Sequence, residues 1–221
     1  MPESIPAPLI IDTLKDTFRE ARGNSTREPL GWILSVPDTH QKTVLAALDK
    51  ERALRVGQAA QALKFHWYED PLADDDLYNY VKLKQQLSIP ILATEYAPGG
   101  FTALAPWIVA RATDYLRGDV AVKGGITPLV KSAHLAEAFH MNFEIHHGGN
   151  SLNNVANLHV TMAIRNCEFF EVLLPAAAQK YGLREDIEVD ARGLVHAPAG
   201  PGLGAAIDFE LIERRKTAVL T

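Results

Sequence analysis

The chain has 221 residues, 47% of them hydrophobic and 22% charged, with a formal net charge of −5. That is the composition of an ordinary globular protein, and its acidic balance gives no reason to expect nucleic acid or an anionic membrane as partner. No stretch approaches the roughly 20 apolar residues of a spanning helix, and Met1-Pro2-Glu3-Ser4 is not followed by a basic and then an apolar region, so no secretory leader is expected. The single cysteine, Cys167, excludes an intrachain disulfide and fits a reducing, cytoplasmic setting; its apolar context favours a buried structural thiol over a nucleophile.

Residues 1–50 carry turn and charge signals such as Arg22-Gly23-Asn24-Ser25 and are expected to form a divergent, partly flexible segment ahead of a folded region from 51 to 221. In that region Ala53, Leu54, Val56, Ala60 and Leu63 recur at helical spacing and lead into the apolar run Phe65-His66-Trp67-Tyr68-Glu69. Asp74-Asp75-Asp76 then supplies acidic caps for a helix over Leu77 to Leu87, followed by the run Ile89 to Glu95. A weaker strand, Tyr115 to Asp119, is extended in this reading through Val120-Ala121-Val122. Thr127 as cap and Pro128 in the first turn open a helix to His140. The run Met141 to His146, a helix over Ser151 to Ile164 and the run Cys167 to Glu171 complete the pattern.

The polar ends of these runs, at 69, 95, 119, 146 and 171, recur every 24 to 27 residues. That is the length of a strand, a helix and two short loops, so the beat predicts repeated βα units. In a parallel barrel such strand ends converge on the mouth where the chemistry is done. At 221 residues the chain is short for a complete barrel of roughly 250, so the expected fold is an incomplete TIM-type (β/α) barrel.

Glu69 and Glu95 end adjacent strand candidates and could share a cation; hard oxygen donors without cysteine point to Mg²⁺. The alternative is that each pairs with a lysine or arginine. Two carboxylates alone make a thin site, so weak binding is expected without a third oxygen. Asp119 and His146 also end adjacent strands, and a carboxylate beside an imidazole sets its tautomer and basicity for general acid–base work. His147 is an alternative base, but alternation along a strand sends it to the opposite face, which favours His146. Glu171 would face the same mouth and could hydrogen-bond or protonate an oxyanion. His66 reads as packed or solvent-facing, and His134, His140 and His159 as helical residues with structural roles. Gly124-Gly125 reads as a tight turn, while Ala97-Pro98-Gly99-Gly100 and His147-Gly148-Gly149-Asn150 follow strand ends as loops at the mouth, with Asn150 able to reach a polar ligand.

Taken together, Trp67-Tyr68-Glu69-Asp70-Pro71, Ala93-Thr94-Glu95, Asp119 followed by Lys123-Gly124-Gly125-Ile126-Thr127, and the strand ending in His146 resemble the mandelate racemase/muconate lactonizing enzyme family of the enolase superfamily. The resemblance covers roughly residues 50–221. It implies that Glu69 and Glu95 are the second and third ligands of an essential Mg²⁺, that Asp119 and His146 form the catalytic dyad, and that Glu171 stabilises an enediolate. The implied reaction removes the proton α to a carboxylate, with dehydration or racemisation of an acid sugar to follow. The family's first metal ligand would fall near Thr43, and Asp38, after Trp32 to Pro37, is the candidate substitute, although that stretch could equally be an unrelated loop. The family's lysine base motif and its N-terminal capping domain have no counterpart. The alternative is therefore an inactive fragment that only binds or oligomerises, and the open strand edges of an incomplete barrel favour a homo-oligomer.

Overall fold

The computed structural model describes residues 50–148, 150–173, 176 and 180–218. The expected N-terminal segment, with Thr43 and Asp38, lies outside the described residues. The described residues divide into two compact units, one of those up to Ala97 with Pro106–Tyr115 and one of Pro98–Ala105 with those from Leu116 onward.

In the first unit, α1 (Lys50–Ala62) precedes β1 (Tyr68–Glu69), and α2 (Leu77–Lys84) precedes β2 (Ile91–Ala93). The strands pair in parallel with Glu69 opposite Leu92. Parallel strands need a crossover, and α2 is that crossover. Asp76 caps α2 by accepting the Asn79 N–H at 3.2 Å, as the acidic run predicts. The buried face of α1 is narrower than its apolar spacing suggests: Ala53 and Gly57 are buried and Leu63 is exposed. Small residues set this contact because a Cβ at position 57 would lie 2.4 Å from Leu87 Cδ1, so a larger residue would hold the helix away. Asp114 fixes the start of β2 by accepting the Ile91 N–H at 2.9 Å and pairing with Lys84. A helix that the sequence pattern does not announce, α3 (Leu104–Val109), follows a short 3₁₀ turn at Phe101–Ala103.

In the second unit, β3 (Tyr115–Gly118) and β4 (Phe143–Ile145) run parallel, joined by α4 (Ile126–Ala138), and α5 (Ser151–Ala163) follows β4. The register pairs Leu116 with Phe143, Arg117 with Glu144 and Gly118 with Ile145. Residues 120–122 form a turn instead of continuing β3, because the Asp119 carboxylate accepts the Ala121 N–H at 2.7 Å and bends the chain. The cap of α4 is Gly125 and not Thr127. Gly125 has φ +113°, a conformation that a side chain disfavours, which leaves Thr127 and Pro128 inside the first turn. Proline is tolerated there because first-turn N–H groups have no acceptor within the helix.

The expected strand at Cys167–Glu171 is not formed: these residues have no regular secondary structure. Their N–H groups go to side chains: Glu168 and Phe169 donate to the Glu144 carboxylate at 3.2–3.3 Å, and Glu171 donates to His147 Nδ1 at 3.4 Å. After them, α6 (Phe209–Arg215) is capped by Asp208. Among the described residues no helix is long and apolar enough to cross a membrane.

Gly118 marks the tightest approach of β3 to α4. A Cβ there would lie 2.7 Å from Leu129 Cδ1 and 2.9 Å from Phe143 Cζ, both on fully buried side chains. Gly118→Ala is expected to destabilise the protein by about 1–3 kcal/mol, read as a lower urea midpoint with an unchanged slope.

Candidate active site

In the first unit, one carboxylate oxygen from each of Glu69, Asp70 and Glu95 lies within 4.8 Å of the others. Glu69 is the last residue of β1, and the ladder runs one residue further, with the Asp70 N–H donating to the Leu92 carbonyl at 3.0 Å. Glu95 lies two residues beyond β2 and is 4% exposed. The backbone on either side is strained: Asp70 has φ +37° and Thr94, a β-branched residue, φ +92°. Such conformations cost about 1–3 kcal/mol each and persist only where the surroundings impose them. Tyr80 of α2 steadies the turn after Asp70, its hydroxyl donating to the Leu72 carbonyl at 3.2 Å. Three oxygen donors at this spacing, with neither imidazole nor thiolate among them, suit a hard divalent cation.

In the second unit, the β3–β4 register continues past both strands. The His146 N–H donates to the Gly118 carbonyl at 3.0 Å, which sets Asp119 and His146 side by side as the next pair. Their side chains meet, with His146 Nδ1 2.9 Å from Asp119 Oδ2. Burial pushes the Asp119 carboxyl up, but hydrogen bonds from His146, the Ala121 N–H and the Asn153 amide outweigh it and hold the group below its usual range. An ionised Asp119 can only accept, so the ring proton sits on Nδ1 and the basic lone pair on Nε2. The Asn153 amide donates to both oxygens of Asp119, at 3.1 and 3.0 Å.

His147 faces the other way and is fully buried, its ring 4.0 Å from that of Phe170 and its Nε2 3.4 Å from Thr161 Oγ1. Burial pushes its pKa down from 6.5 to about 3, so the ring is neutral. Glu171 does not stand alone at a mouth: its carboxylate pairs with Arg117 Nη2 and accepts the His147 N–H at 3.2 Å. Burial raises the Glu171 carboxyl, yet the Arg117 charge and hydrogen bond hold it below the usual range. In that state Glu171 is an acceptor and has no proton to give. Asn150 is turned to its own helix, capping α5 by accepting the Asn153 N–H at 2.9 Å. The Cys167 thiol is pushed up to about 12 by burial and by Glu144, which leaves it un-ionised and unreactive. His66, His134 and His140 are exposed, and His159 binds the Leu203 carbonyl at 3.0 Å.

A family model described as Enolase C-terminal domain-like matches residues 36–211. The chain belongs to this family. It is 30% identical over 176 residues to the arabinonate dehydratase of Saccharolobus solfataricus, covering 75% of this chain and 44% of that one. It is also 30% identical over 179 residues to the L-rhamnonate dehydratase of Saccharopolyspora erythraea, covering 76% and 44%. Among solved structures, D-glucarate dehydratase from Agrobacterium tumefaciens complexed with magnesium shares 38% identity at a TM-score of 0.68, over 76% of this chain and 44% of the other. The chain thus spans about 44% of the length of these two curated relatives. As an enolase C-terminal domain-like chain of this length it is an α/β fold making up part of a (β/α) barrel.

Reading the sequence for the site missed Asp70, Arg117 and Asn153. Asp70 directly follows Glu69, and Arg117 shares the strand face of Asp119 by alternation, so both were open to inference. Asn153 sits on a helix seven residues after His146, and no periodicity points to it.

Removing one partner of the Arg117–Glu171 pair leaves a buried charge. Arg117→Met is expected to cost about 3–5 kcal/mol, and Arg117→Met with Glu171→Leu markedly less, by urea denaturation. His147 generates a pH dependence of known sign. The unfolded ring takes up a proton below 6.5 and the folded ring only near 3, so stability present above 6.5 is lost as pH falls through that window. Relative to His147→Gln, the wild type should lose stability on the order of a few kcal/mol between those limits. A difference that stays constant from pH 7 to pH 5 would contradict a neutral His147.

Proposed function

We propose that this chain carries proton-transfer and metal-ligand residues of a Mg²⁺-dependent enzyme that removes the proton α to the carboxylate of an acid sugar and then dehydrates or racemises it. The observation that carries the reading is the Asp119–His146 pair, within a family match whose named relatives act on arabinonate and L-rhamnonate. Glu69 and Glu95, with Asp70 beside them, would hold the cation. When bound, the cation supplies positive charge against the negative charge that develops on the substrate carboxylate as the proton leaves.

The chain's own groups do the rest. His146 Nε2 takes the α-proton or returns one, and Asp119 steadies the imidazolium that this transfer creates. At 24% exposure the His146 ring is reachable, whereas its neighbour His147 is sealed, neutral and pinned by the Glu171 backbone. Glu171, ionised against Arg117, acts in this reading by fixing the chain beside His147; as a proton donor it would first have to leave the arginine.

The test is α-proton exchange of a panel of aldonic and aldaric acids in D₂O with Mg²⁺, alongside calorimetric titration of Mg²⁺. Exchange by the wild type should fall by about 10²-fold or more in His146→Asn. Mg²⁺ affinity should fall about tenfold or more in Glu69→Ala. Mg²⁺ binding without exchange of any acid in the panel would leave the alternative, a binding fragment without turnover.

A further inference from the structure

Asp119 sits at the end of β3 with hydrogen bonds arriving at both oxygens. Oδ1 accepts the Ala121 N–H at 2.7 Å, and Oδ2 lies 2.9 Å from His146 Nδ1. One side chain spans the pair: Asn153 Nδ2 is 3.1 Å from Oδ1, 3.0 Å from Oδ2 and 3.4 Å from the Gly148 carbonyl oxygen. Three acceptors around one nitrogen decide which end of the amide faces the dyad, because the amide oxygen would set lone pairs against an anion.

Asn153 is itself fixed. It lies in the first turn of α5, its N–H capped by Asn150 at 2.9 Å. Two residues earlier, buried Ser151 anchors the helix start, donating to Asp186 and accepting the Tyr181 N–H at 2.9 Å. One turn further on, buried Asn157 accepts the Val120 N–H at 2.9 Å. Helix α5 therefore grips the turn after β3 twice, once at the carboxylate and once at the backbone.

We propose that Asn153 is a positioning residue for the Asp119–His146 dyad. Its amide fixes the plane of the Asp119 carboxylate, so that Oδ2 stays on Nδ1 and His146 keeps the tautomer with Nε2 as its basic nitrogen. A carboxylate held by the Ala121 N–H and the ring alone can rotate about its Cβ–Cγ bond and exchange oxygens, and the ring then loses its fixed acceptor. The inference deepens the proposed proton transfer and rests on it for its catalytic meaning, while the tautomer it assigns is a property of the unliganded chain.

The experiment is two-bond ¹H–¹⁵N NMR of the histidine rings, recorded on the unliganded protein above the His146 titration seen in the same spectra. The wild type should show His146 protonated at Nδ1 with Nε2 unprotonated. Asn153→Leu removes the donor at similar volume, and Asn153→Asp sets a carboxylate in its place; each should give a mixed or reversed tautomer. Asn150→Ala removes the helix cap without touching Asp119 and should lower the melting temperature yet keep the wild-type pattern. If Asn153→Leu does not fold, Asn153→Asp decides. A wild-type pattern in a folded Asn153 variant, an Nε2-protonated ring in the wild type, or an equal change in Asn150→Ala would each overturn the proposal. For an acid sugar that the wild type exchanges, Asn153→Leu should lower kcat by about tenfold or more with KM little changed. A wild type that exchanges nothing would defeat the functional reading and leave the NMR outcome to decide this one.

Discussion

The hydrogen bond from the His146 N–H to the Gly118 carbonyl carries the β3–β4 ladder one residue beyond both strands, and the chemistry of the second unit depends on it. Parallel register is rigid: a slip of one residue would turn every side chain to the other face. With Gly118 opposite Ile145, Asp119 and His146 fall side by side on one face, and His147 is delivered to the other. The register is protected from the helix side by the close seat of Gly118 against Leu129 and Phe143, where no larger residue fits without displacement. Packing on one face of the strand therefore fixes proton chemistry on the other.

Two adjacent histidines consequently live in opposite electrostatic conditions. His146, partly exposed, leans on an ionised carboxylate and keeps a basic nitrogen. His147, sealed against Phe170 and Thr161, stays neutral and serves the backbone as an acceptor. The Arg117–Glu171 pair meets this second environment through Glu171, whose carboxylate accepts the His147 N–H. Its two charges are nearly inaccessible, and each offsets the cost of burying the other. What the pair secures is the irregular chain around Glu171, which bonds to Glu144, His147 and Arg117.

This division explains how much could be read in the sequence. Every 24–27 residues a run ends in a polar group, and that beat follows from the length of a βα unit; the strand and helix cores it predicts are present from α1 to α5. The Asp119–His146 contact was legible because both residues stand at strand ends in the same phase. What the beat could not show is chemistry made by side chains reaching across the fold. Glu171 has the same phase as the others, but its environment is decided by Arg117, 54 residues away. Asn153 is invisible for the same reason, since its role depends on where α5 lands and not on the helix's own pattern. The misplaced cap of α4 is more local: Gly125 holds φ +113° with little strain where a side chain would be strained, and capping rules by residue type do not weigh that.

The first unit shows where strand-end logic needs correcting. Glu69 follows it simply, as the terminal residue of β1 with the ladder continuing to Asp70. Glu95 does not, because the left-handed backbone of Thr94 interrupts alternation just before it. The direction of Glu95 is thus set by a strained residue, a geometry that the spacing from Glu69 does not contain. A β-branched residue at φ +92° is disfavoured in any relaxed chain, and Thr94 is also buried. Strain of that size beside one carboxylate, with a second left-handed residue, Asp70, beside the other, holds three oxygens within 4.8 Å of one another.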